Sequence, residues 1–463
     1  MGLFSKTKDN AVSDAPVDDD GPTLGDEPQK DELGRRSLND HCAYLLDHIE
    51  PMAPFGMSLA DAWGRTLCED LKAYGDVPPV PVAEVDGYAI RYSDVAAIAP
   101  SARPVFALLG TPRRAAGGGD EPDDDDAASP SGQPSPPPTT VVGQSVRVLA
   151  GEEMPEGFDT VLAERQVSLD HSGRYITMLE KIAEGDWVRP AATEASDGEM
   201  LLAAGAELDD RHSALLAAVG FSRVMARPRT RVAAVQVIDS SADAPLDGGR
   251  AGGVGLHLIN GAAQADGAAV YRLEVDLASP DVARDRLNDE LIRADLVLTI
   301  GGVTDDYADP RLVEMLEQMG VVNVAEVAMR PGRRHGFGKI GDECTPVVML
   351  PSDPTELLVA YHAFAHPVLR KLMGAEPFEH EKMLCFAEHD MDAVIGVTQL
   401  LPCRLRQDGN RYMASEITSR NHSWLTTLVA ADALVIMPSN RQRVYAGEAL
   451  PCWLLDDQRV ASA

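Results

Sequence analysis

Residues 295–310 read Asp-Leu-Val-Leu-Thr-Ile-Gly-Gly-Val-Thr-Asp-Asp-Tyr-Ala-Asp-Pro, and this stretch decides the fold. Apolar residues fill positions 296–300 almost without a break, which is typical of a strand covered on both faces in a parallel sheet. The strand runs into Gly301-Gly302 and an acidic loop. Ligands bind beyond the carboxyl ends of such strands, where Gly lets backbone N–H groups approach an anion. The stretch indicates either a ligand site or an ordinary tight turn.

Strands and helices alternate on both sides of this stretch. The pattern predicts strand 231–238, helix 255–268, strand 269–275, helix 280–293, strand 295–300, helix 309–319, strand 321–328, strand 346–350 and helix 354–373. Repeated β-then-α units of this kind predict a doubly wound parallel sheet. The chain is therefore interpreted as a multidomain protein of α/β plus β class.

Composition shifts along the chain predict its domain organisation. Residues 1–35 are rich in Asp, Pro, Gly and Ser, and predict a disordered acidic arm. The segment 113–140 contains Gly-Gly-Gly, four consecutive Asp residues and Pro-Pro-Pro, and predicts a disordered loop inserted into a hairpin. The remainder divides into a helical and linker subdomain at 36–74 and 179–228, a β subdomain at 75–178, an α/β domain at 229–375 and a small β domain at 376–463.

Two helices are predicted near the start of the folded part. The first carries apolar side chains at positions i, i+3, i+4 and i+7, namely Cys42, Leu45, Leu46 and Ile49. Ser58 is placed to cap the second. That helix is expected to bury Leu59, Ala62, Trp63 and Leu67. Further along, prolines force an extended approach to Asp86-Gly87, a pair that most often closes a hairpin.

Charge and composition exclude several classes of function. The net charge of −32 repels nucleic acid and anionic lipid, so neither is expected as a primary partner. The chain has no run of about 18 apolar residues and no secretory leader, which predicts a cytoplasmic protein without direct membrane insertion. Six cysteines without a CxxC pair indicate reduced core thiols rather than a zinc site or a disulfide framework.

Five short motifs carry a resemblance to a known family. They are Val85-Asp86-Gly87-Tyr88-Ala89, Met154-Pro155-Glu156-Gly157, Gly301-Gly302-Val303-Thr304, Met329-Arg330-Pro331-Gly332-Arg333 and Leu350-Pro351-Ser352-Asp353-Pro354. They resemble the M-D-G-Y-A, P-x-P-E-G-A-D, G-G-V-S, M-K-P-G-K and L-P-G-N-P motifs of the molybdopterin molybdotransferase family, the MoeA and gephyrin E-domain proteins. The resemblance covers nearly everything from about residue 36 to 460.

This resemblance implies a fold, an assembly and a reaction. It implies a MogA-like molybdopterin-binding domain, an elongated N-terminal α and β region, and a small C-terminal β-barrel. A homodimer is expected, since the family's Asp-Gly-Tyr turn works across subunits. The family's reaction consumes adenylated molybdopterin and molybdate with a divalent metal, here expected to be Mg²⁺, and yields molybdenum cofactor and AMP. That chemistry needs carboxylates for the metal and cations for the pyrophosphate and oxyanion.

Carried over position by position, the resemblance assigns candidate site residues. The catalytic candidates are Asp86, Glu194, Asp239, Arg330 and Arg333. The candidates for substrate binding are Gly301, Gly302, Thr304, Ser352, Asp353 and Pro354. The metal would be held by Asp309, which follows G-G-V-T, and Asp276 at the end of the preceding strand. A basic patch, either an anion site or a solvated turn, comprises Arg330, Arg333, Arg334, His335 and Lys339.

Several positions depart from the family's pattern. The departures are Ala150-Gly151-Glu152 for T-G-A, Ala192-Thr193-Glu194 for G-E-D, Ile238-Asp239-Ser240 for G-D-E, Asp306 for a Gly, Arg330 and Arg333 for two Lys, and Arg420-Asn421-His422 for Q-G-S. Loss of one carboxylate that positions a metal costs orders of magnitude in rate. Several such changes in one site predict an eroded active site.

The sequence is compatible with three hypotheses about the function. The favoured one is a dimeric, gephyrin-like scaffold whose groove between the α/β and C-terminal domains binds a short peptide. The family includes gephyrin-like bacterial proteins tied to the tubulin-like division protein and its membrane receptor, so a cytoskeletal, cell-division or receptor peptide is expected. The acidic arm and the 113–140 insertion suit an assembly hub. The alternatives are an active molybdotransferase and an accessory that binds the substrate without turning it over.

Overall fold

The computed structural model describes residues 23–96, 98, 102–110, 141–241, 253–417 and 424–455. These residues pack into two compact units, one drawn from 1–69, 205–213 and 222–463 and the other from 70–204 and 214–221. The predicted insertion at 113–140 lies outside the described residues. The subdomain boundaries predicted from the sequence are finer than this division and stay predictions. Within the described ranges, no helix is long and apolar enough to cross a membrane.

The first half of the chain forms short elements. They are α1 (Leu38–Asp47), β1 (Phe55–Ser58), α2 (Leu59–Ala62), β2 (Leu71–Lys72), β3 (Val82–Ala83), β4 (Gly87–Ile90), α3 (Ser93–Ala96), β5 (Val105–Leu109), β6 (Val141–Val148), β7 (Thr160–Ala163), a 3-10 turn (Glu164–Gln166), β8 (Val167–Leu169), β9 (Tyr175–Met178), β10 (Val188–Arg189), β11 (Met200–Leu202), α4 (Asp210–Ala218) and β12 (Arg223–Ala226). The two predicted helices correspond to α1 and α2. Trp63 was expected to be buried but is 56% exposed, because α2 ends at Ala62 and the indole leaves its buried face.

The unit of 70–204 and 214–221 contains a six-stranded sheet in the order β7-β4-β6-β5-β9-β8. β5 and β6 pair in parallel, so the prediction that residues 113–140 interrupt a hairpin is wrong. Parallel neighbours need a crossover of a dozen or more residues, which explains the length of this connection. Asp86-Gly87 closes no hairpin either, because β3 pairs with β10 whereas β4 pairs with β6 and β7.

The α/β domain contains nearly all the elements predicted for it. They are β13 (Arg231–Ile238), α5 (Val254–Ala265), β14 (Ala269–Asp276), α6 (Pro280–Leu291), β15 (Leu296–Ile300), α7 (Pro310–Glu317), β16 (Gly320–Glu326), β17 (Met329–Arg330), β18 (Arg334–Ile340), β19 (Thr345–Leu350), α8 (Pro354–Ala360), a π-helical turn (Tyr361–Ala365) and α9 (His366–Met373). The predicted helix 354–373 is continuous but contains the π turn. Only β17 and β18 have no counterpart among the predicted elements.

The sheet of this domain is mixed rather than purely parallel. Its order is β14-β13-β15-β19-β18-β16, in which the first four strands are parallel and β18 is antiparallel to both neighbours. The sequence of β18, Arg-His-Gly-Phe-Gly-Lys-Ile, reads as a basic turn. Its glycines are required by close packing, since a Cβ at Gly336 would collide with Met349 and one at Gly338 with the carbonyl of Val321.

β15 is the central strand of the domain, and all five of its residues are buried. Leu296, Leu298 and Ile300 pack into the apolar core that contains residues of α1, α8 and α9. Val297 packs into the second core, against residues of α6 and α7. The prediction of a strand covered on both faces is therefore confirmed, and the strand's end at Gly301 is fixed by two cores.

The last part of the chain forms a small closed barrel. Its elements are β20 (Met383–Ala387), β21 (Met391–Asp392), β22 (Thr398–Asp408), β23 (Arg411–Glu416), α10 (Trp424–Ala430), β24 (Ala433–Met437), β25 (Arg443–Val444) and β26 (Ala449–Leu454). β20, β23, β22, β24 and β26 pair in that order, and β26 pairs back with β20. The expected C-terminal barrel is thereby confirmed.

Residues 23–35, predicted as the end of a disordered arm, make specific contacts instead. Glu27 pairs with the fully buried Arg36 at 3.0 Å and accepts a hydrogen bond from the Asn323 amide at 2.7 Å. The Gly25 N–H donates to His48 at 2.8 Å. Composition alone missed these contacts because each one joins an arm residue to a side chain outside the arm, as far along the chain as Asn323.

The buried His335 gives a prediction about acid stability. Burial lowers the pKa of His335 to about 4, so its imidazole is neutral in the folded chain and its Nε2 lies 2.8 Å from the Gly332 carbonyl oxygen. An unfolded His titrates near pH 6.5, so below that pH the unfolded chain binds one more proton. The buried, neutral His335 therefore contributes to the free energy of unfolding. This contribution is fully present above about pH 6.5 and falls by about 3 kcal/mol as the pH drops to about 4.

We expect His335→Gln, which keeps an N–H donor for Gly332, to lose less unfolding free energy than the wild type between pH 7.5 and 4.5. Urea denaturation at both pH values measures this difference. The exposed His389→Gln variant is the control and should keep the wild-type acid loss. The prediction would be contradicted if all three proteins lost the same unfolding free energy between pH 7.5 and 4.5.

Candidate functional site

The carboxyl ends of the parallel strands bring together most of the predicted site residues. Asp239 follows β13, Asp276 ends β14, Gly301 follows β15 and Ser352 lies two residues beyond β19. These four strands are neighbours in the sheet, so the residues share one edge. Open parallel sheets bind ligands at this edge.

The Gly301-Gly302 pair is required by the turn itself. Gly301 has a φ of 96° and Gly302 a φ of 75°, values that L side chains rarely adopt. A Cβ at Gly302 would also collide with Leu312 of α7, and its carbonyl oxygen accepts the N–H of Asp309 at 2.7 Å. The pair therefore brings the start of α7 close to the end of β15.

Asp309 and Asp239 are joined by the guanidinium of Arg311. Asp309 is the N-cap of α7 and is fully buried. It accepts hydrogen bonds from the Arg311 N–H at 2.9 Å, Nε at 3.1 Å and Nη2 at 2.7 Å. The same Nη2 donates to Asp239 Oδ2 at 2.7 Å. One fixed cation thus neutralises part of the charge of two carboxylates.

Hydrogen bonding keeps both carboxylates ionised. The Ser241 hydroxyl and Arg311 lower the pKa of Asp239 to about 2. Burial alone would raise the pKa of Asp309, but hydrogen bonds from Arg311 and Tyr307 outweigh it and lower that pKa. The two carboxylates in turn raise the pKa of Arg311. The three groups therefore stay charged at neutral pH.

The expected magnesium ligands have other partners. Asp276 Oδ1 accepts the N–H of Ser240 at 3.0 Å and that of Ala278 at 2.9 Å, while Asp309 is bound by Arg311. Among the residues the structure describes, no group of three His, Cys, Asp or Glu side chains could hold a metal ion. As they stand, these residues do not fit the Mg²⁺ site implied by the resemblance.

The basic patch predicted from the sequence does not converge on one point. The N–H of Arg333 donates to Asp305 Oδ1 at 2.6 Å and its Nη2 to Asp306 Oδ1 at 2.9 Å. Arg334 pairs with Glu326 on β16. Each of these guanidinium groups is therefore occupied by a carboxylate of its own chain.

The remaining members of the patch point to different surroundings. His335 is buried in the core and neutral. Lys339 lies farther along β18, opposite Val321, and Arg330 is exposed at the end of β17. Within the described ranges, Arg330 and Lys339 make no ion pair. Arg330 is thus the one guanidinium of the patch left for a ligand.

Carboxyl groups also surround the start of α8. Asp353 caps this helix, its Oδ1 accepting the N–H groups of Thr355 at 2.9 Å and Glu356 at 3.1 Å, with Pro354 as the first helical residue. Burial, together with the charges of Asp305 and Asp353, raises the pKa of Glu356 to about 7. The backbone N–H groups of Thr355 and Glu356, which could otherwise bind an anionic ligand, are therefore already bound by the Asp353 carboxylate.

The other candidates have local roles. The Thr304 hydroxyl bonds to the backbone N–H and carbonyl of Tyr307, both at 3.2 Å. Asp86 and Glu194 belong to the second unit, where Asp86 accepts the Ala150 N–H at 2.8 Å and Glu194 lies 3.4 Å from Arg189. The tripeptide 420–422 lies outside the described residues. The catalytic assignments of these residues stay predictions.

Sequence reasoning missed Arg311 and Glu356. A signal for Arg311 was present, because a cation in the first turn of a helix is disfavoured by the helix dipole and calls for a nearby anion. Its second partner, Asp239, is 72 residues earlier, which no local pattern reveals. Asp353 and Glu356 have the spacing of a capping box, which explains the helix start but not the burial of Glu356.

Comparison with known families defines the class of protein. Residues 36–220 match the "MoeA N-terminal region (domain I and II)", residues 255–371 the "Probable molybdopterin binding domain" and residues 388–455 the "MoeA C-terminal region (domain IV)". The second region lies within the MogA-like α/β domain, and the third covers most of the C-terminal barrel. The fold is thus that of a multidomain molybdopterin-binding protein.

Individual relatives agree with this class over 69% to 99% of their own length. Molybdopterin molybdenumtransferase 1 of Mycobacterium tuberculosis is 26% identical over 421 residues, covering 89% of this chain and 97% of that protein. The molybdenumtransferase of Nostoc is 27% identical over 68% of this chain and 69% of that protein. A MoeA structure from Pyrococcus horikoshii matches with a TM-score of 0.68 and 20% identity over 91% of this chain and 99% of that one. The chain belongs to the MoeA family, the molybdopterin molybdenumtransferases of molybdenum cofactor biosynthesis.

The Arg311 contacts give a stability prediction. Arg311→Ala would leave the buried Asp309 without its guanidinium, and removing one partner of a buried pair costs about 3 kcal/mol or more. We expect the unfolding free energy at pH 7 to fall by about 3 kcal/mol, because the Arg311 backbone N–H and Tyr307 remain as partners. Urea denaturation measures the change. Arg147→Ala, which removes the exposed ion pair with Glu164, should cost less than about 1 kcal/mol. Equal losses of unfolding free energy in the two variants would contradict the role of Arg311 as the partner of the buried Asp309.

Proposed function

We propose that this MoeA-family chain no longer inserts molybdenum and works in the cytoplasm as a dimeric, gephyrin-like scaffold. The observation that carries the proposal is the guanidinium of Arg311 between Asp239 and Asp309. Magnesium binds carboxylate oxygens directly and needs near-ideal octahedral geometry. An ion entering here would have to displace a tethered cation that makes three side-chain hydrogen bonds to these carboxylates.

The charges around the expected phosphate position support the same proposal. Arg333 is held by Asp305 and Asp306, and Asp306 stands where the family has a Gly. A pyrophosphate group would have to displace these contacts and approach the carboxylate of Asp353 as well. Like charges at close range disfavour that approach. Substrate binding is thus opposed by the chain's own anions.

A cavity between the α/β domain and the barrel supports the peptide part of the proposal. Its volume is about 230 Å³, below the range of roughly 300–1,000 Å³ that drug-sized ligands occupy. α1 contributes Leu38 and Asn39, α9 contributes Pro367, and the barrel contributes Ser439 and Trp453. A space of this size suits one or two anchoring side chains of a short peptide from a division protein or a membrane receptor.

The alternative, an active molybdotransferase, has one specific observation in its favour. The relative named molybdopterin molybdenumtransferase 1 matches over 97% of its length, so nearly all of that protein has a counterpart here. The Arg311 side chain is 38% exposed, which would let it swing away when substrate and Mg²⁺ arrive. In that case Arg330 is the free cation for the pyrophosphate.

The proposal predicts that the purified protein releases no AMP from adenylated molybdopterin in the presence of Mg²⁺ and molybdate. Asp309→Ala is the matched negative control, and the M. tuberculosis molybdenumtransferase 1 is the positive control. Size-exclusion chromatography with light scattering should show a dimer. AMP release by the wild type that Asp309→Ala abolishes would establish the enzyme and refute the scaffold.

The peptide part is tested with labelled peptides from the tubulin-like division protein and from the cytoplasmic segments of membrane receptors. Fluorescence polarisation should detect binding by the wild type and a loss of about tenfold or more in Ser439→Trp, which fills the cavity. Asn440→Trp, outside the cavity lining, should bind as the wild type does. No binding, or equal binding by both variants, would refute the groove assignment.

A further inference from the structure

A second cavity lies at the opposite edge of the α/β domain from the candidate site. Its walls come from the loop after α2, the segment before β13, and the C-terminal ends of α5 and α9. In a doubly wound sheet these positions belong to the amino ends of the strands. The volume is about 450 Å³, and a neighbouring cavity of about 600 Å³ shares Trp63, Arg65, Pro228 and Arg229 with it. We call the first cavity the arginine cleft, after its residues Arg65, Arg227, Arg229 and Arg370.

Among the residues that the structure describes, no carboxylate forms an ion pair with the four guanidinium groups of the arginine cleft. Arg227 donates to the Cys68 sulfur and Arg370 to the Pro377 carbonyl oxygen. Within the described part of the chain, Arg65 and Arg229 make no ion pair. The buried Nε of Arg227 has no hydrogen-bond partner within the described ranges of the chain. Several arginines without ion pairs in one cavity are unexpected in a chain of net charge −32, because its acidic residues far outnumber its basic ones.

The acidic residues of the arginine cleft do not balance this charge. Asp209 pairs with Arg211 and His212, and Asp266 is bound by Tyr361 and His366. Tyr361 is neutral, so Asp266 keeps its negative charge, and together with the exposed Glu207 three carboxylates face the four guanidinium groups of the cleft. The cavity therefore holds an excess of positive charge.

The arginines of the cleft repel one another. Burial and the nearby charge of Arg229 both lower the pKa of Arg65, and Asp61 offsets this only in part. Such repulsion is relieved when an anion enters between the two groups. Arginine is also the side chain best suited to bind phosphate through paired N–H donors.

Trp63 adds an aromatic surface beside these charges. It is 56% exposed and lines both the arginine cleft and the neighbouring cavity. An exposed indole next to arginines is a stacking platform for a planar base, which contributes binding energy whatever the base. A ligand with a ring on Trp63 and phosphates on the arginines would use both features.

We propose that the arginine cleft binds a nucleotide with at least two phosphate groups. The phosphates lie among Arg65, Arg227 and Arg229, and the base stacks on Trp63. The cavity volume lies within the range of small-molecule sites. This site is separate from the candidate site at the carboxyl edge and does not depend on whether the chain inserts molybdenum.

Isothermal titration of the full chain with ADP and with inorganic pyrophosphate, in buffer without divalent ions, tests the proposal. The wild type should bind both probes. The double variant Arg65→Gln, Arg229→Gln should lose at least tenfold in affinity for each. The control is Arg286→Gln, Arg404→Gln, which makes the same change of charge at two exposed arginines outside the cleft and should stay within twofold of the wild type.

Trp63→Leu separates the base from the phosphates. It should weaken ADP binding about tenfold, as expected for loss of one stacked base, and leave pyrophosphate binding unchanged. The proposal would be overturned if the wild type bound neither ADP nor pyrophosphate at concentrations up to about 1 mM. Equal losses in the cleft and control variants, or ADP binding that Trp63→Leu leaves unchanged, would also overturn it.

Discussion

The contact of Arg311 with Asp239 and Asp309 is the constraint on which the candidate site depends. It joins the loop after β13 to the first turn of α7, while Gly302 brings that turn against the end of β15. The ends of β13 and β15 and the start of α7 are thereby fixed relative to one another by one guanidinium and one backbone hydrogen bond. A buried carboxylate such as Asp309 is tolerated only when it is paired, so the cation is part of the fold as well as of the site.

The two edges of the α/β domain differ in how their charges are balanced. At the carboxyl edge, Arg333 and Arg334 are bound by carboxylates of the same chain, and burial together with its acidic neighbours raises the pKa of Glu356. At the amino edge, Arg65 and Arg229 have no such partners within the described ranges. Anions are thus disfavoured where the family resemblance leads one to expect them, and favoured where it does not.

Much of this fold could be predicted from sequence because its signals are local. The apolar run of β15 and the alternation around it gave the α/β domain, and five ordered motifs gave the family. The errors arose where contacts between residues far apart in the sequence determine the structure. β18 looked like a basic turn, since its glycines are explained only by Met349 and Val321 on neighbouring strands. The parallel pairing of β5 with β6 and the partnership of Arg311 with Asp239 are likewise invisible in local patterns.

Binding of Mn²⁺, a paramagnetic substitute for Mg²⁺, followed by electron paramagnetic resonance, tests most directly whether Arg311 stands in place of the metal. We expect the wild type and Asp309→Ala to take up the same amount of Mn²⁺, because Arg311 already occupies the carboxylates. Arg311→Ala should gain a site that the double variant Arg311→Ala, Asp309→Ala lacks. A site in the wild type that Asp309→Ala removes would contradict the claim that the chain's own arginine replaces the metal.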